Sequence, residues 1–126
     1  MDKVVHFEIP FKKHDRASKF YSGLFGWKMN PVPEMDYTIV HTVEVDSNNM
    51  PKESGAINGG LTKSDKKTKS PVLVIDVPSI DAYVEKIKKA GGKIVQKKMA
   101  VGDMGYYAKF KDSEGNILGI WENIKK

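Results

Sequence analysis

Few side chains in this chain are able to do chemistry. There are three histidines and no cysteines among the 126 residues. His6 and Glu8 lie two residues apart in the alternating segment from Val4 to Ile9, and a strand there places imidazole and carboxylate on one face. Such a pair can exchange a proton with a bound molecule or supply two donors to a divalent ion. Tyr37, Tyr106 and, less favoured, Tyr107 add phenolic hydroxyls, Asn58 an amide that both donates and accepts, and Glu122 a second carboxylate whose burial would raise its pKa. His6, Glu8, Tyr37, Asn58, Tyr106 and Glu122 are therefore the candidate ligand-contacting residues. Each also has a structural reading: a hydrogen-bonded core histidine, a solvated or salt-bridged glutamate, an aromatic strand residue that packs. His41 would join His6 and Glu8 as a third metal donor only if the fold brought its strand beside theirs, and nothing in the sequence fixes that.

Several chemistries are excluded. Without cysteine there are no disulfides, thiolate metal sites or thiol nucleophiles. No Gly-x-Ser-x-Gly elbow, Walker loop or Gly-x-Gly-x-x-Gly fingerprint occurs, and Gly59-Gly60 and Gly91-Gly92 lack the strand-to-helix setting of a phosphate cradle. The formal net charge is +5. The lysines are spread over several segments (Lys63, Lys66, Lys67 and Lys69; Lys86, Lys88 and Lys89; Lys97 and Lys98; Lys125 and Lys126) and read as solvated surface that aids solubility. Tyr106, Tyr107 and Phe110 raise the alternative of a basic RNA-binding sheet, but their spacing and context depart from the RNA-recognition pattern. No apolar run approaches the ~20 residues of a spanning helix, and the N-terminus lacks a signal-peptide pattern. The expected setting is cytoplasmic, with no membrane or nucleic-acid partner.

The elements that must position these residues repeat. Val4 to Ile9 reads as a strand ended by Pro10; from Asp15 the residues Ala17, Phe20, Tyr21, Leu24 and Phe25 form one helical face, stopped by Gly26. Strands follow at Trp27–Met29, broken by Pro31 and Pro33, at Tyr37–Val43, and at Gly55–Leu61, where the glycines signal a bulge or a close approach to the backbone. After a polar connection from Thr62 to Ser70 the order recurs: a strand at Val72–Val77, a helix capped by Ser79 with Ile80, Tyr83, Val84 and Ile87 on its buried face, and strands at Lys93–Lys97, Tyr106–Phe110 and Ile117–Glu122. An offset of 66 matches Phe7 with Leu73, Ile9 with Ile75 and Gly26 with Gly92.

That order, with His6, the helix Phe20 to Trp27 (Phe-Tyr-Ser-Gly-Leu-Phe-Gly-Trp) and the late turn Asp112 to Asn116 (Asp-Ser-Glu-Gly-Asn), resembles the vicinal oxygen chelate superfamily, the glyoxalase, bleomycin-resistance and dioxygenase group. The resemblance spans nearly the whole chain. It implies an α+β fold in which two tandem βαβββ modules, about 1–62 and 70–126, form one domain with a curled mixed β-sheet around a cleft. It also implies metal ligands on the first strand of each module and on a later strand. Here only His6 matches; the related positions hold Val72, Gly119 and, near the remaining one, Asn58. No cofactor is therefore expected. The resulting expectation is a homodimeric protein that binds a small organic molecule in its cleft without the usual metal. The alternative is a metal-dependent lyase, isomerase or dioxygenase of the same superfamily.

Overall fold

The computed structural model describes residues 1–66 and 68–124; Lys67, Lys125 and Lys126, part of the expected lysine surface, lie outside the described residues. The first half builds β1 (Val4–Phe11), α1 (His14–Phe25), β2 (Lys28–Val32), β3 (Tyr37–His41) and β4 (Asn58–Lys63), with a 3-10 turn at Pro33–Met35. The second half repeats the order with β5 (Val72–Asp76), α2 (Ile80–Lys89), β6 (Lys93–Val101), β7 (Gly105–Lys111) and β8 (Ile117–Asn123). The fold is α+β, strand-helix-strand-strand-strand twice. In each half the first strand runs parallel to the fourth and the rest pair antiparallel, giving β2-β3-β4-β1 and β5-β8-β7-β6. Residues Met1–Val5 associate with the second half: the Lys3 carbonyl accepts the Asp76 N–H at 2.9 Å, and the Asp2 carboxylate accepts the Tyr83 hydroxyl at 2.5 Å.

The alternation in β1 sorts its two faces. Phe7, Ile9 and Phe11 turn toward α1 and meet Val40, Leu61, Ala17, Tyr21, Trp27 and Met29; His6 and Glu8 turn the other way. Trp27 stacks on Tyr21 with centroids 5.3 Å apart and planes 7° from parallel. Burial of Leu61 or Val40, both fully enclosed, stabilises by roughly 1.5–3 kcal/mol each. Gly26 closes α1 in the left-handed region (φ 72°), its N–H donating to the Ser22 carbonyl. The expected helical stripe is only half used. Ala17 and Tyr21 pack inward, whereas Phe20, Leu24 and Phe25 stay 57%, 63% and 60% exposed, with Phe20 and Phe25 resting against the Tyr21 and Trp27 rings.

Two prolines expected to end strands lie inside them. Pro10 pairs with Thr62 in the parallel ladder, where only alternate residues bond a given neighbour, so its missing N–H does not interrupt the pairing. Pro31 pairs with Thr38 on β2, the outer strand of its half, where proline is tolerated. β6 also runs four residues past the expected end at Lys97, to Val101.

In the second half Val77, Ile80, Ala108 and Ile120 form the buried centre under α2. Two acceptors start that helix: Ser79 takes the Ala82 N–H at 3.2 Å, and Glu122 takes the Ile80 N–H at 2.7 Å. Lys86, Lys88 and Lys89 sit in its last turn, where cations complement the dipole. Glu122→Ala is expected to destabilise the protein by about 1–3 kcal/mol in urea denaturation, since the Ile80 N–H loses its acceptor, while Glu122→Gln, which retains an acceptor oxygen, recovers most of the loss. Among the described residues no helix is long and apolar enough to cross a membrane.

Candidate functional site

On the face of the first half turned away from α1, three strands contribute polar groups. Strand order places β4 between β3 and β1, so a side chain of Tyr37 must cross roughly two strand spacings of ~4.8 Å to reach His6. It does so because the residue beneath it is glycine. A Cβ built on Gly60 would overlap the Tyr37 hydroxyl and ring, which means the phenol lies directly on the Gly60 backbone. From there its oxygen meets His6 Nε2 at 2.7 Å, and its hydroxyl hydrogen bonds Glu8. The close approach signalled by the glycine-rich segment is thus made by Tyr37 on Gly60 and, on the opposite face, by Phe7 on Gly59.

The donor pattern follows from chemistry. The Glu8 carboxylate accepts the Tyr37 O–H, so the phenol oxygen accepts from His6 Nε2–H, leaving Nδ1 as the ring's lone-pair nitrogen. Burial drives the His6 pKa down to about 4, because an imidazolium there would lose its hydration. Burial, and then the Glu8 charge and hydrogen bond, push the Tyr37 pKa up from its ordinary value. Near neutral pH the cluster therefore holds a neutral imidazole and a neutral phenol.

Asn58 stands opposite His6 in the β1/β4 register. Its Oδ1 accepts the backbone N–H groups of Thr42 (2.8 Å) and Val43 (3.2 Å), tying down the chain after β3. Its Nδ2 is buried without a hydrogen-bond acceptor. His41 turns to Asn30, 3.4 Å away. Among the described residues no three His, Asp or Glu side chains gather as a metal site, so the rearranged set of His6, Glu8 and His41 is not assembled.

The second half places two candidates elsewhere than expected. Glu122 is spent on the start of α2. Tyr106 packs against the cluster under the same helix, with the Lys98 ammonium 4.5 Å above its ring and 3.1 Å from Asp81. The helix consumes both because strand alternation turns them to its side. Phe110 shares that side while Tyr107 faces the other, so the three aromatics of the RNA alternative form no common platform.

The face of the second half turned away from α2 is occupied by Tyr107, a phenol that stands with Tyr37 and Tyr106 in the sequence but outside the candidate residues. Its ring lies on Gly119: a Cβ there would come within 2.6 Å of Tyr107 Cε1 and Oη. The geometry matches that of Tyr37 on Gly60. Tyr37 pairs with Thr62 and reaches diagonally to Gly60; Tyr107 pairs with Trp121 and reaches diagonally to Gly119. The first strands differ. Where Glu8 faces Gly60, Val74 faces Gly119, and Tyr107 rests among Val72, Val74, Val101, Ile117 and Trp121. On the first strand one half sets His6 and Glu8 beside its tyrosine and the other sets Val72 and Val74, while the ammonium of the buried Lys109 lies 6.0 Å from the Tyr107 ring.

Comparison with known proteins places this architecture. Residues 3–42 match the bleomycin resistance protein-like N-terminal family. A glyoxylase-like domain-containing protein of Didymella fabae is 30% identical over 117 residues, which is 90% of this chain and 88% of that protein. CFP32 of Mycobacterium bovis, provisionally named a glyoxylase, is 26% identical over 108 residues; the match takes in 84% of this chain but spans only 40% of CFP32. Among solved structures, methylmalonyl-CoA epimerase of Streptomyces coelicolor, in complex with 2-nitronate-propionyl-CoA, superposes with a TM-score of 0.67 over 98% of both chains at 14% identity, a likeness of fold. The chain belongs to the glyoxalase/bleomycin-resistance/dioxygenase superfamily, the vicinal oxygen chelate proteins.

Proposed function

We propose that this protein binds a small organic molecule on the sheet face that carries His6, Glu8 and Tyr37, and that it does so without the divalent ion of metal-dependent relatives. The observation that carries the reading is the contrast between the two Tyr-on-Gly arrangements. The donor set does not fit a transition metal: among the related ligand positions His6 is the one imidazole and its Nε2 is engaged by Tyr37, Val72 is buried and offers no donor, and Gly119 lies beneath the Tyr107 ring. Such sites generally use three or four protein ligands. A binding site needs less, namely apolar surface with a few fixed polar groups. His6 Nδ1 offers such a group, an acceptor held in place by the hydrogen bond of Nε2 to Tyr37.

The test joins metal analysis to a ligand screen. Untagged protein incubated with Zn, Ni, Mn or Fe(II) and desalted is expected to retain substoichiometric metal by mass spectrometry. A screen of aromatic and carbonyl-bearing compounds is expected to yield binders that Tyr37→Phe weakens about tenfold. A full equivalent of metal retained by the wild type and lost in His6→Ala would overturn the reading.

A second reading, proton transfer at a substrate carbon, is supported by His6 being neutral with Nδ1 carrying a free lone pair, a weak base at a pKa near 4 that would need a bound ligand to raise it, and by the likeness in fold to an epimerase. Turnover of a ligand found in the screen, abolished in His6→Ala while binding persists, would raise it above simple binding.

A further inference from the structure

The lysines between the two halves are not uniformly dispersed. β1 ends at Phe11 and β4 at Lys63, which pair with each other, and the ladder is extended by the Ser64 N–H donating to the Phe11 carbonyl at 2.8 Å. The chain then turns back. Asp65 donates its N–H to the Thr68 carbonyl at 3.3 Å, and its carboxylate accepts the Thr68 N–H at 2.6 Å. This fold of the backbone gathers Lys12, Lys63, Lys66 and Lys69 around a pocket of about 370 Å³, completed by Phe11, Ser64 and Asp65.

None of these four lysines makes an ion pair with a carboxylate of the described residues. Asp65, the one acid in the lining, is turned to the Thr68 N–H of its own loop. Four lysines lining one pocket concentrate positive charge there, and a multivalent anion seated among them relieves their mutual repulsion. Lysine binds phosphate as a point charge from a flexible stem, without the planar geometry that arginine imposes. The volume lies near the low end of the ~300–1,000 Å³ typical of small-molecule sites, which suits one or two phosphate groups better than a large organic body.

We propose that this pocket is an anion site for a phosphate-bearing small molecule. It lies at the far end of β1 from His6, five residues on, or roughly 16 Å along the strand. It does not depend on the reading given to the His6 face.

The experiment is a titration of inorganic pyrophosphate into the isotope-labelled full chain at low ionic strength, followed by amide NMR. Saturable shifts are expected at Phe11, Lys12 and the segment 63–66, and added salt should weaken binding. The variant Lys63→Ala/Lys66→Ala is expected to lose at least about tenfold in affinity, while Lys88→Ala/Lys93→Ala, an equal change in net charge away from the pocket, changes it less than about twofold. All four positions are exposed, so folding is not at stake, and an unchanged thermal midpoint verifies this. Equal weakening in both double variants would reduce the effect to net charge and overturn the site. So would an absence of saturable binding, or binding to vesicles containing anionic phospholipid with no response to pyrophosphate, which would make the segment a membrane-surface contact instead.

Discussion

Acidification from pH 7 to pH 4 is expected to cost the fold on the order of 3 kcal/mol through His6 alone. In the unfolded chain this imidazole titrates near 6.5, and in the folded protein near 4. Between those values the unfolded state binds the extra proton, so stability falls as the pH falls. The contribution is complete above about 6.5 and exhausted below about 4. Urea denaturation of the wild type and His6→Gln across this range isolates it: glutamine keeps a donor for the Tyr37 oxygen but does not titrate, so its stability should decline less steeply. The His6 ring resonances should report a midpoint near 4 directly. A midpoint near the ordinary histidine value, with parallel stability curves for the two proteins, would mean that the imidazole is hydrated and that the cluster does not hold it neutral.

Gly60→Ala is the most disruptive small change expected at the candidate site. The added methyl meets the Tyr37 hydroxyl and ring. Swinging the phenol away breaks its hydrogen bonds to His6 and Glu8. Overpacking and two lost polar contacts together make about 3–4 kcal/mol a reasonable loss, read by chemical denaturation. Two further outcomes tie the loss to its cause. Gly60→Ala combined with Tyr37→Ala should lose much less than the sum of the single changes, because the overlap is gone, and the His6 titration should move upward as the imidazole becomes hydrated. Gly119→Ala forces the same overlap with Tyr107 and should destabilise without moving the His6 titration. If Gly60→Ala stayed within about 0.5 kcal/mol of wild type, the placement of Tyr37 across β4 would be wrong.

The element order was readable because each signal is local. Gly26 marks the end of α1, Ser79 the start of α2, and alternation in Val4 to Ile9 separates the helix side from the polar side. The prolines misled because their effect depends on which neighbour the missing N–H would have faced, and that is a property of the sheet. The polar cluster was half legible. His6 and Glu8 follow from period two, and Tyr37 and Asn58 were singled out, but that Tyr37 reaches His6 depends on strand order and on Gly60 lying between them. Tyr106 and Glu122 went the other way for the same reason: alternation tells which residues share a face, and only the packed helix tells which face it covers. Lysine spacing likewise gave no hint that Lys12 lies near Lys66, because a parallel pairing of β1 with β4 joins residues some fifty positions apart.

The paired placement of a tyrosine ring on a glycine separates two properties that evolution or an engineer can adjust independently. The tyrosine and glycine are 23 residues apart in the first half (37 and 60) and 12 in the second (107 and 119), yet the diagonal between them is the same, since it depends on strand register and not on the length of the connection. The intervening loop is therefore free to grow or shrink and to carry new contacts of its own. Polarity is set elsewhere, on the first strand by His6 and Glu8 in one half and Val72 and Val74 in the other, and on β7 by Lys109 beside Tyr107. The duplicated scaffold thus has one coordinate for reach and another for chemical preference, and a change in either leaves the other intact.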